Sequence, residues 1–481
     1  MCSFPEGHQF MKEKIFSIAS ATSRFERGIF VFLLVYLIFL CFLTPPFQVA
    51  DENAHFYRTI QVSQFEIFPS RQENTIGGEI PASLIDSSNI LQAGIPFNPQ
   101  NKFSLKLLRS EMERKFDAKD KKFIGFPNTA LYSPIPYLFS GGTLWIAKVL
   151  SVSPPLHLYV ARVTNSIAAV AIIFMGLAVF PFLNFPILLL SFVPMYSFQL
   201  ASASADSVMF SLAVLYCCSL GKAFTEPENP VENKIPYFIL SIVSFALLAL
   251  CKQAYFPLGL PLAILLFEDF NQKKIFSLKI GIALLISLPV FYWNFRIRDY
   301  FAPSRLDVVI DPGKQLQFII NSPQLFIDLL IQSIRSSGGV LWQQMIGVLG
   351  WLDTWLNPKI NDILGYLLFG SVLMPRRGSQ AMRNVIRITL FAGIISSALL
   401  IVMLIYMSWN PPGHLANIEG LQGRYFLPLL PFVFAFIISF PKLKVSKYFR
   451  QGTNFSNFYM LSFVALSLWT TIYGLLRRYY L

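Results

Sequence analysis

Charged side chains are scarce. They make up 14% of the 481 residues while 54% are hydrophobic, against about 25% charged in an ordinary soluble domain. That deficit excludes a soluble enzyme and leaves an all-α polytopic membrane protein built as one membrane domain. Cysteine is thin as well: Cys2, Cys41, Cys217, Cys218 and Cys251, an odd number with no C-x-x-C pair. Most lie in apolar runs, so a disulfide framework and a zinc site are both excluded and packing is expected. No A-x-A-like cleavage site follows the basic N-terminus (Lys12, Lys14, Arg24, Arg27), which predicts an uncleaved signal anchor. There is no repeat period and no low-complexity tract. Acidic residues are outnumbered 39 to 26, giving a net charge of +13. The basic residues flank apolar runs, so the expected counterpart is anionic lipid and not nucleic acid.

What is present is apolar runs and aromatics, including 48 Phe, as suits helices facing lipid. Spans are expected over 28–43, 134–150, 236–250, 254–267, 277–293, 362–374, 388–408, 425–441 and 457–475. Three more runs, 163–180, 186–200 and 206–220, are assigned two crossings, with the Pro186/Pro194 run broken or re-entrant. This gives eleven crossings, or up to thirteen if broken pieces count. Short basic loops at 268–274, 374–387 and 442–450 are placed in the cytoplasm with residues 1–27, and 221–235 follows by parity. The membrane domain is read as 28–475, with a tail over 476–481. Large extracytoplasmic loops are expected at 44–133 and 294–361. Within the first, 102–122 reads as a helix with Leu105, Leu108, Met112 and Phe116 on one face. It lies along the membrane surface or packs on its neighbours.

The densest chemistry follows the first apolar run, in Thr44-Pro-Pro-Phe-Gln-Val-Ala-Asp-Glu-Asn-Ala-His-Phe-Tyr-Arg58. Pro45-Pro46 stops the preceding helix. From Val49 helix resumes, and Asp51, His55 and Arg58 share a face with Glu52 beside them. Ionisable groups at a membrane boundary are costly and mark a site. Parity adds Asp206, Lys252, Asp353 and Arg424 to the same side. Carboxylates can take a proton from an acceptor hydroxyl while cations hold a phosphate leaving group. Plainer roles stand beside these: Asp51 or Asp206 as a helix cap, Glu52 as an ion-pair partner, His55 as an interfacial histidine, Lys252 as a snorkelling side chain and Arg424 as a topological anchor. Asp51 and His55 at i, i+4 could hold a divalent metal, but two ligands define no site. Trp351 and Trp355 read as interfacial belt residues in preference to a sugar platform.

These residues also carry a resemblance. Pro45 to Arg58 resembles the opening motif, P-P-x-x-x-P-D-E-x-x-H, of a bacterial polytopic membrane-protein family of unknown function, with Ala50 where proline is common. Tyr132-Ser-Pro-Ile-Pro-Tyr137, Ser202-Ala-Ser-Ala-Asp206, Gly350-Trp-Leu-Asp353-Thr and Gln422-Gly-Arg-Tyr425-Phe resemble its later motifs in order. That family is similar to the GT-C membrane glycosyltransferases, among them protein O-mannosyltransferases and aminoarabinose transferases of lipid A. The resemblance implies a GT-C-like bundle in the bacterial cytoplasmic membrane with an extracytoplasmic site. It further implies a polyprenyl-phosphate sugar donor and inversion at the sugar carbon. By motif Asp51 is then the base, with Glu52 adjacent, and Asp206 opens a later span. His55, Arg58, Asp206, Lys252, Asp353, Arg424 and Tyr425 are expected to line the substrate site. Relatives differ in metal use, so no metal is assigned.

The expected function is transfer of a sugar to a cell-surface glycan or similar acceptor. The alternative is a transporter or flippase of lipid-linked sugars. That alternative favours charges at mid-span and inverted repeats, whereas the acids here sit at span ends and no repeat is visible. A structural partner in an envelope complex is permitted by the charged outer loop but has no feature in its favour.

Overall fold

A computed structural model describes residues 24–225, 231–303, 305, 307–374, 382–440 and 453–481. The expected cytoplasmic basics Lys12, Lys14, Arg376 and Arg377, the loop 442–450 and Cys2 lie outside the described residues. The chain is an all-α membrane bundle with a small sheet at one end. Helix α1 (Arg24–Leu43) leads into α2 (Glu52–Ser63). Strands β1 (Ser70–Gln72), β2 (Thr75–Pro81) and β3 (Lys121–Gly125) form an antiparallel sheet in that order. Helices α3 (Ala82–Gln92) and α4 (Leu105–Met112) lie between its second and third strands. Then come α5 (Leu138–Val149), α6 (Pro154–Val179), α7 (Asn184–Phe192), α8 (Pro194–Leu200), α9 (Ala205–Thr225) and α10 (Val231–Cys251). They are followed by α11 (Leu260–Phe267), α12 (Lys273–Ile297), α13 (Pro312–Asn321), α14 (Pro323–Gly347) and α15 (Pro358–Gly370). Helices α16 (Asn384–Trp409), α17 (Leu430–Ile438) and α18 (Thr453–Tyr479) complete the bundle.

Among the described residues six helices are long and apolar enough to cross a membrane, or seven if one bent pair counts as a span. Three shorter apolar helices, Ile235–Cys251, Gln253–Phe267 and Gly423–Ile438, accompany them. Long, apolar helices are thus fewer than the eleven to thirteen expected crossings, because several runs are split by proline into short pieces. Burial sorts the long ones. α9 is 89% buried and forms the axis of the bundle, whereas α12 is 11% buried and presents its Leu and Phe side chains outward. A helix apolar on all sides and exposed in this way is one that faces lipid.

Two expectations are corrected. The run 134–150 is not a span. It holds the 12-residue helix α5, about 18 Å long against a hydrocarbon core of about 30 Å. α5 doubles back on the start of α6, with the Thr143 and Thr164 hydroxyls 2.9 Å apart. Conversely, 181–200 joins the two ends of the bundle. Asn184 donates to Glu26 near the start of α1 at 3.4 Å, while Asn165 donates to the Ser202 carbonyl at 3.0 Å at the other end. The run is bent by 84° between α7 and α8. Val193, which precedes Pro194, sits at φ −54°, ψ 131°, the extended conformation that proline imposes on its predecessor. The two corrections cancel in parity, so Asp206 still lies at the end that carries Asp51. In 102–122 helix covers only Leu105–Met112, and Lys121 already belongs to β3. Its face packs on α6, where the Phe116 ring lies 4.6 Å from that of His157, while Leu105 stays 64% exposed.

The segment between α1 and α2 is locked from within the bundle. Arg162 of α6 is fully buried and uses its whole guanidinium. Nε and Nη2 donate to the two carboxylate oxygens of Glu52 at 2.8 and 2.6 Å. Nη1 reaches the carbonyls of Cys41 and Thr44 at 2.8 and 2.6 Å, and Nη2 that of Pro45 at 3.0 Å. These are carbonyls at a helix C-terminus, which lack helical partners and favour a cation. Glu52, in the first turn of α2, also accepts from the Ala203 amide at 3.1 Å. Removing one partner of such a pair leaves an uncompensated buried charge, at a cost of about 3–5 kcal/mol. Glu52→Ala should therefore lower thermal stability in detergent by about that much. A variant as stable as the wild type would contradict the clamp.

Candidate functional site

Asp51 stands at the N-terminal cap of α2 with φ 62°, ψ 7°, and its side chain makes no capping bond. The left-handed region disfavours residues with a side chain, though Asp tolerates it better than most. The strain is held by neighbours: Ala50 donates its amide to the Gly350 carbonyl at 3.2 Å, and His55 donates its amide to the Asp51 carbonyl at 3.0 Å. Gly350 itself has φ +67°, and a Cβ there would sit 2.3 Å from the Asp353 carboxylate. The conformation turns the Asp51 carboxylate away from its own helix. Arg424 Nη2 donates to Oδ2 at 2.5 Å and Asn128 Nδ2 to Oδ1 at 3.1 Å.

Arg424 ties two acids together. Its Nη1 lies 3.8 Å from Asp206 Oδ2 and donates to the Ala50 carbonyl at 3.3 Å. Its Nε donates to Gln422 Oε1 at 2.7 Å, and the Gly423 amide donates to Gln344 of α14 at 2.9 Å. Asp206 opens α9, with its side chain 6% exposed. Its carboxylate accepts no hydrogen bond among the described residues. Lys252, in the turn after α10, holds its ammonium 4.0 Å above the Tyr425 ring and has no hydrogen-bond acceptor among the described residues. The Tyr255 hydroxyl donates to the Tyr425 carbonyl at 2.9 Å. His55 completes the cluster. Its Nδ1 is 2.8 Å from the Tyr137 hydroxyl and also faces the Ala205 amide at 3.5 Å. With Nδ1 accepting, the neutral ring carries its proton on Nε2.

Electrostatics divide these groups. Enclosure by protein works against the Asp51 charge, but Arg424 and the hydrogen bonds from Arg424 and Asn128 outweigh it. The carboxyl therefore sits below its ordinary range. Burial lowers His55 to about 4, although Asp206 and Asp51 pull the other way, so the ring is neutral near pH 7. Burial likewise lowers Lys252 to about 8, against the pull of Asp206.

The cluster thus gathers Asp51, His55, Asp206, Lys252, Arg424 and Tyr425 from four separate segments. Three expected members stand apart. Glu52 is fully buried with both oxygens taken by Arg162, so it has no face for a substrate. Arg58 is also fully buried and donates to the Tyr132 carbonyl at 3.0 Å, the Ile67 carbonyl at 2.6 Å and the Gln61 side chain. Asp353 is paired with Arg478 at 2.9 Å. These geometries fit holding roles better than contact with a substrate. Asn128 and Tyr255 carry no signal in the sequence, whereas Tyr137 and Gln422 stand there in motifs, 132–137 and 422–426, with no role attached. Among the described residues no three His, Cys, Asp or Glu side chains are grouped to hold a metal. Asp51 and His55 are engaged by Arg424 and Tyr137, so the residues present do not supply a ready metal site.

Fold and site together define a polytopic α-helical membrane protein with a buried acid–cation cluster at one end of its bundle. Over residues 33–433 the chain matches the family described as Predicted membrane protein (DUF2142), and it belongs to that family. No curated protein matches it. Two solved structures of ArnT from Cupriavidus metallidurans align with it. The one bound to undecaprenyl phosphate gives a TM-score of 0.42 at 10% identity, covering 94% of this chain and 75% of that one. The apo form gives 0.41 at 11% identity, with the same coverage.

The cluster can hold an anion at Lys252, whose ammonium has no hydrogen-bond acceptor among the described residues. Sulfate keeps a constant charge through neutral and mildly alkaline pH, so its binding reports the lysine alone. Because Lys252 loses its proton near pH 8, sulfate affinity should be full at pH 6.5, about half-lost at pH 8 and absent well above it. Calorimetry on the wild type and on Lys252→Met checks this. Equal pH dependence in the two proteins would remove Lys252 from the anion site.

Proposed function

We propose that the protein is a GT-C-type glycosyltransferase of the bacterial cytoplasmic membrane. It takes a sugar from a polyprenyl-phosphate donor and passes it, with inversion, to a cell-surface glycan or similar acceptor. In this reading the N-terminus is cytoplasmic and the Asp51 end faces outward. The observation that carries the proposal is the convergence of Asp51, Asp206, Lys252 and Arg424 beside a lipid-facing groove. Two carboxylates and two cations meet at one end of a membrane bundle, although the first and last are 373 positions apart in the chain.

The groove supports a lipid-borne donor. A cavity of about 430 Å³ opens between α10, α11 and α12, lined by Phe238, Phe245, Ala249, Phe256, Leu262 and Val290 among others. Ala249 lies one helical turn before Lys252, so an isoprenoid chain in the groove would deliver its phosphate to that ammonium.

The chemistry follows from the groups present. The acceptor hydroxyl oxygen forms a bond to the anomeric carbon as the bond from that carbon to the phosphate oxygen breaks. The bonding pair leaves with the phosphate, where Lys252 offsets the charge. The hydroxyl proton passes to Asp51. Arg424 keeps Asp51 ionised and aimed. A phosphate arriving at Lys252 competes for the guanidinium, and Asp51 gains basicity as its ion pair loosens. Glu52 serves this site through Arg162, as an architectural residue.

General-base catalysis contributes about 10²–10⁴-fold. Asp51→Asn should therefore lower transfer by at least a hundredfold in membranes supplied with polyprenyl-phosphate sugar, with the protein still inserted and folded. Transfer within a fewfold of wild type would end the assignment of Asp51 as base.

A further inference from the structure

One carboxylate outside the cluster organises a second surface. Asp353 accepts four hydrogen bonds. Phe97 N–H and Arg478 Nη2 donate to Oδ2, each at 2.9 Å. Trp351 N–H and the Thr354 hydroxyl donate to Oδ1 at 3.2 and 3.1 Å. It thereby pins two loops from distant parts of the chain, each presenting an aromatic ring. The Phe97 and Trp351 rings meet edge to face, with centroids 6.2 Å apart and planes at 65°. The Trp351 indole N–H is fixed to the Phe47 carbonyl at 3.0 Å.

This arrangement is held under strain. Phe47, Phe97 and Leu352 all adopt positive φ, at 60°, 60° and 64°. Bulky residues in that region are outliers, and such strain persists only where the surroundings enforce it, commonly at ligand sites. At Phe97 the strain does not serve burial, since its ring remains 70% exposed, whereas Phe47 is buried. The surface also adjoins the acid cluster. Trp351 follows Gly350, whose carbonyl holds the Ala50 amide, and Asp51 is the next residue.

The chemistry around the rings narrows the occupant. From Gly94 to Asn101 there is no charged side chain, and the exposed polar groups beside Phe97 are the amides of Asn98 and Gln100. The nearest lysine in sequence, Lys102, spends its ammonium on the Arg477 and Arg478 carbonyls at 2.8 and 3.3 Å. An aromatic face bordered by neutral amides suits a ligand with one apolar C–H face and a rim of uncharged hydroxyls. It does not suit a phospholipid headgroup, which needs a free cation. We infer that Phe97 and Trp351, pinned by Asp353, form a platform that binds a neutral hexopyranose ring of the acceptor glycan next to Asp51. The acceptor's identity as a glycan rests on the function proposed above; the platform itself can be tested without it.

The test is direct binding, with no donor present, of the purified full chain in detergent to an array of neutral hexopyranose oligosaccharides. Phe97→Asn removes the ring while keeping a residue that tolerates positive φ. One aromatic contact of about 0.5–1.5 kcal/mol corresponds to roughly a twofold to twelvefold loss of affinity. The expected result is saturable binding by the wild type, that loss in Phe97→Asn, and recovery in Phe97→Tyr. This readout needs neither donor nor transfer, so a failed transfer assay and a failed platform are told apart. The inference is overturned if no oligosaccharide binds the wild type, or if Phe97→Asn binds equally well. It is also overturned if Phe97→Tyr fails to restore affinity, which would mark the ring as packing.

Discussion

The buried pair of Arg162 and Glu52 fixes the site before any substrate is considered. One guanidinium draws together the end of α1, the start of α2 and, through Glu52, the segment that precedes α9. A charge pair without solvent access is expensive, and it is tolerated only when every donor and acceptor is used. That condition is met here, since all the guanidinium nitrogens and both carboxylate oxygens are engaged. Asp51 is the residue before Glu52, and its unusual backbone is an outcome of this clamp on one side and of Gly350 on the other.

The C-terminus closes the same end. Arg478 reaches the Asp353 carboxylate and the Ile95 carbonyl, the latter at 2.7 Å. The Tyr480 hydroxyl donates to the Leu43 carbonyl at 2.9 Å. Two buried arginines thus hold two loops, each through a carboxylate with no work left for a substrate. Between them lies the cluster in which Lys252 and Asp206 keep unspent capacity. That difference, fully engaged carboxylates around an acid and an ammonium with capacity to spare, separates scaffold from site more sharply than residue type does.

Much of the site was legible in the sequence because membrane parity is a strong constraint. Asp51, Asp206, Lys252 and Arg424 all sit where an apolar run begins or ends, and counting runs puts them at one end, for Asp206 only because the miscounts at 134–150 and 181–200 cancel. Arg162 was legible only as a charge bordering an apolar run; that it would pair with Glu52, 110 positions earlier, depends on how α6 packs against α1. Glu52 and Arg58 carry the same local signature as Asp51 and His55, and only tertiary packing separates them. The fold was less legible where prolines shorten helices. α5 is mostly apolar yet too short to span, whereas 181–200, broken at Pro194, connects the two ends. Hydropathy counts residues and does not see that a bent run still covers distance while a short straight one does not.

The account turns on a lipid-borne phosphate meeting the ammonium of Lys252. The most direct measurement is an experimental structure of the full chain in lipid nanodiscs with a polyprenyl phosphate. The account predicts the headgroup within hydrogen-bond distance of Lys252 Nζ, the chain in the groove between α10 and α12, and a longer Arg424–Asp51 separation than the present 2.5 Å. A headgroup bound at the opposite end of the bundle, or a groove left empty with the Arg424–Asp51 pair intact, would contradict it.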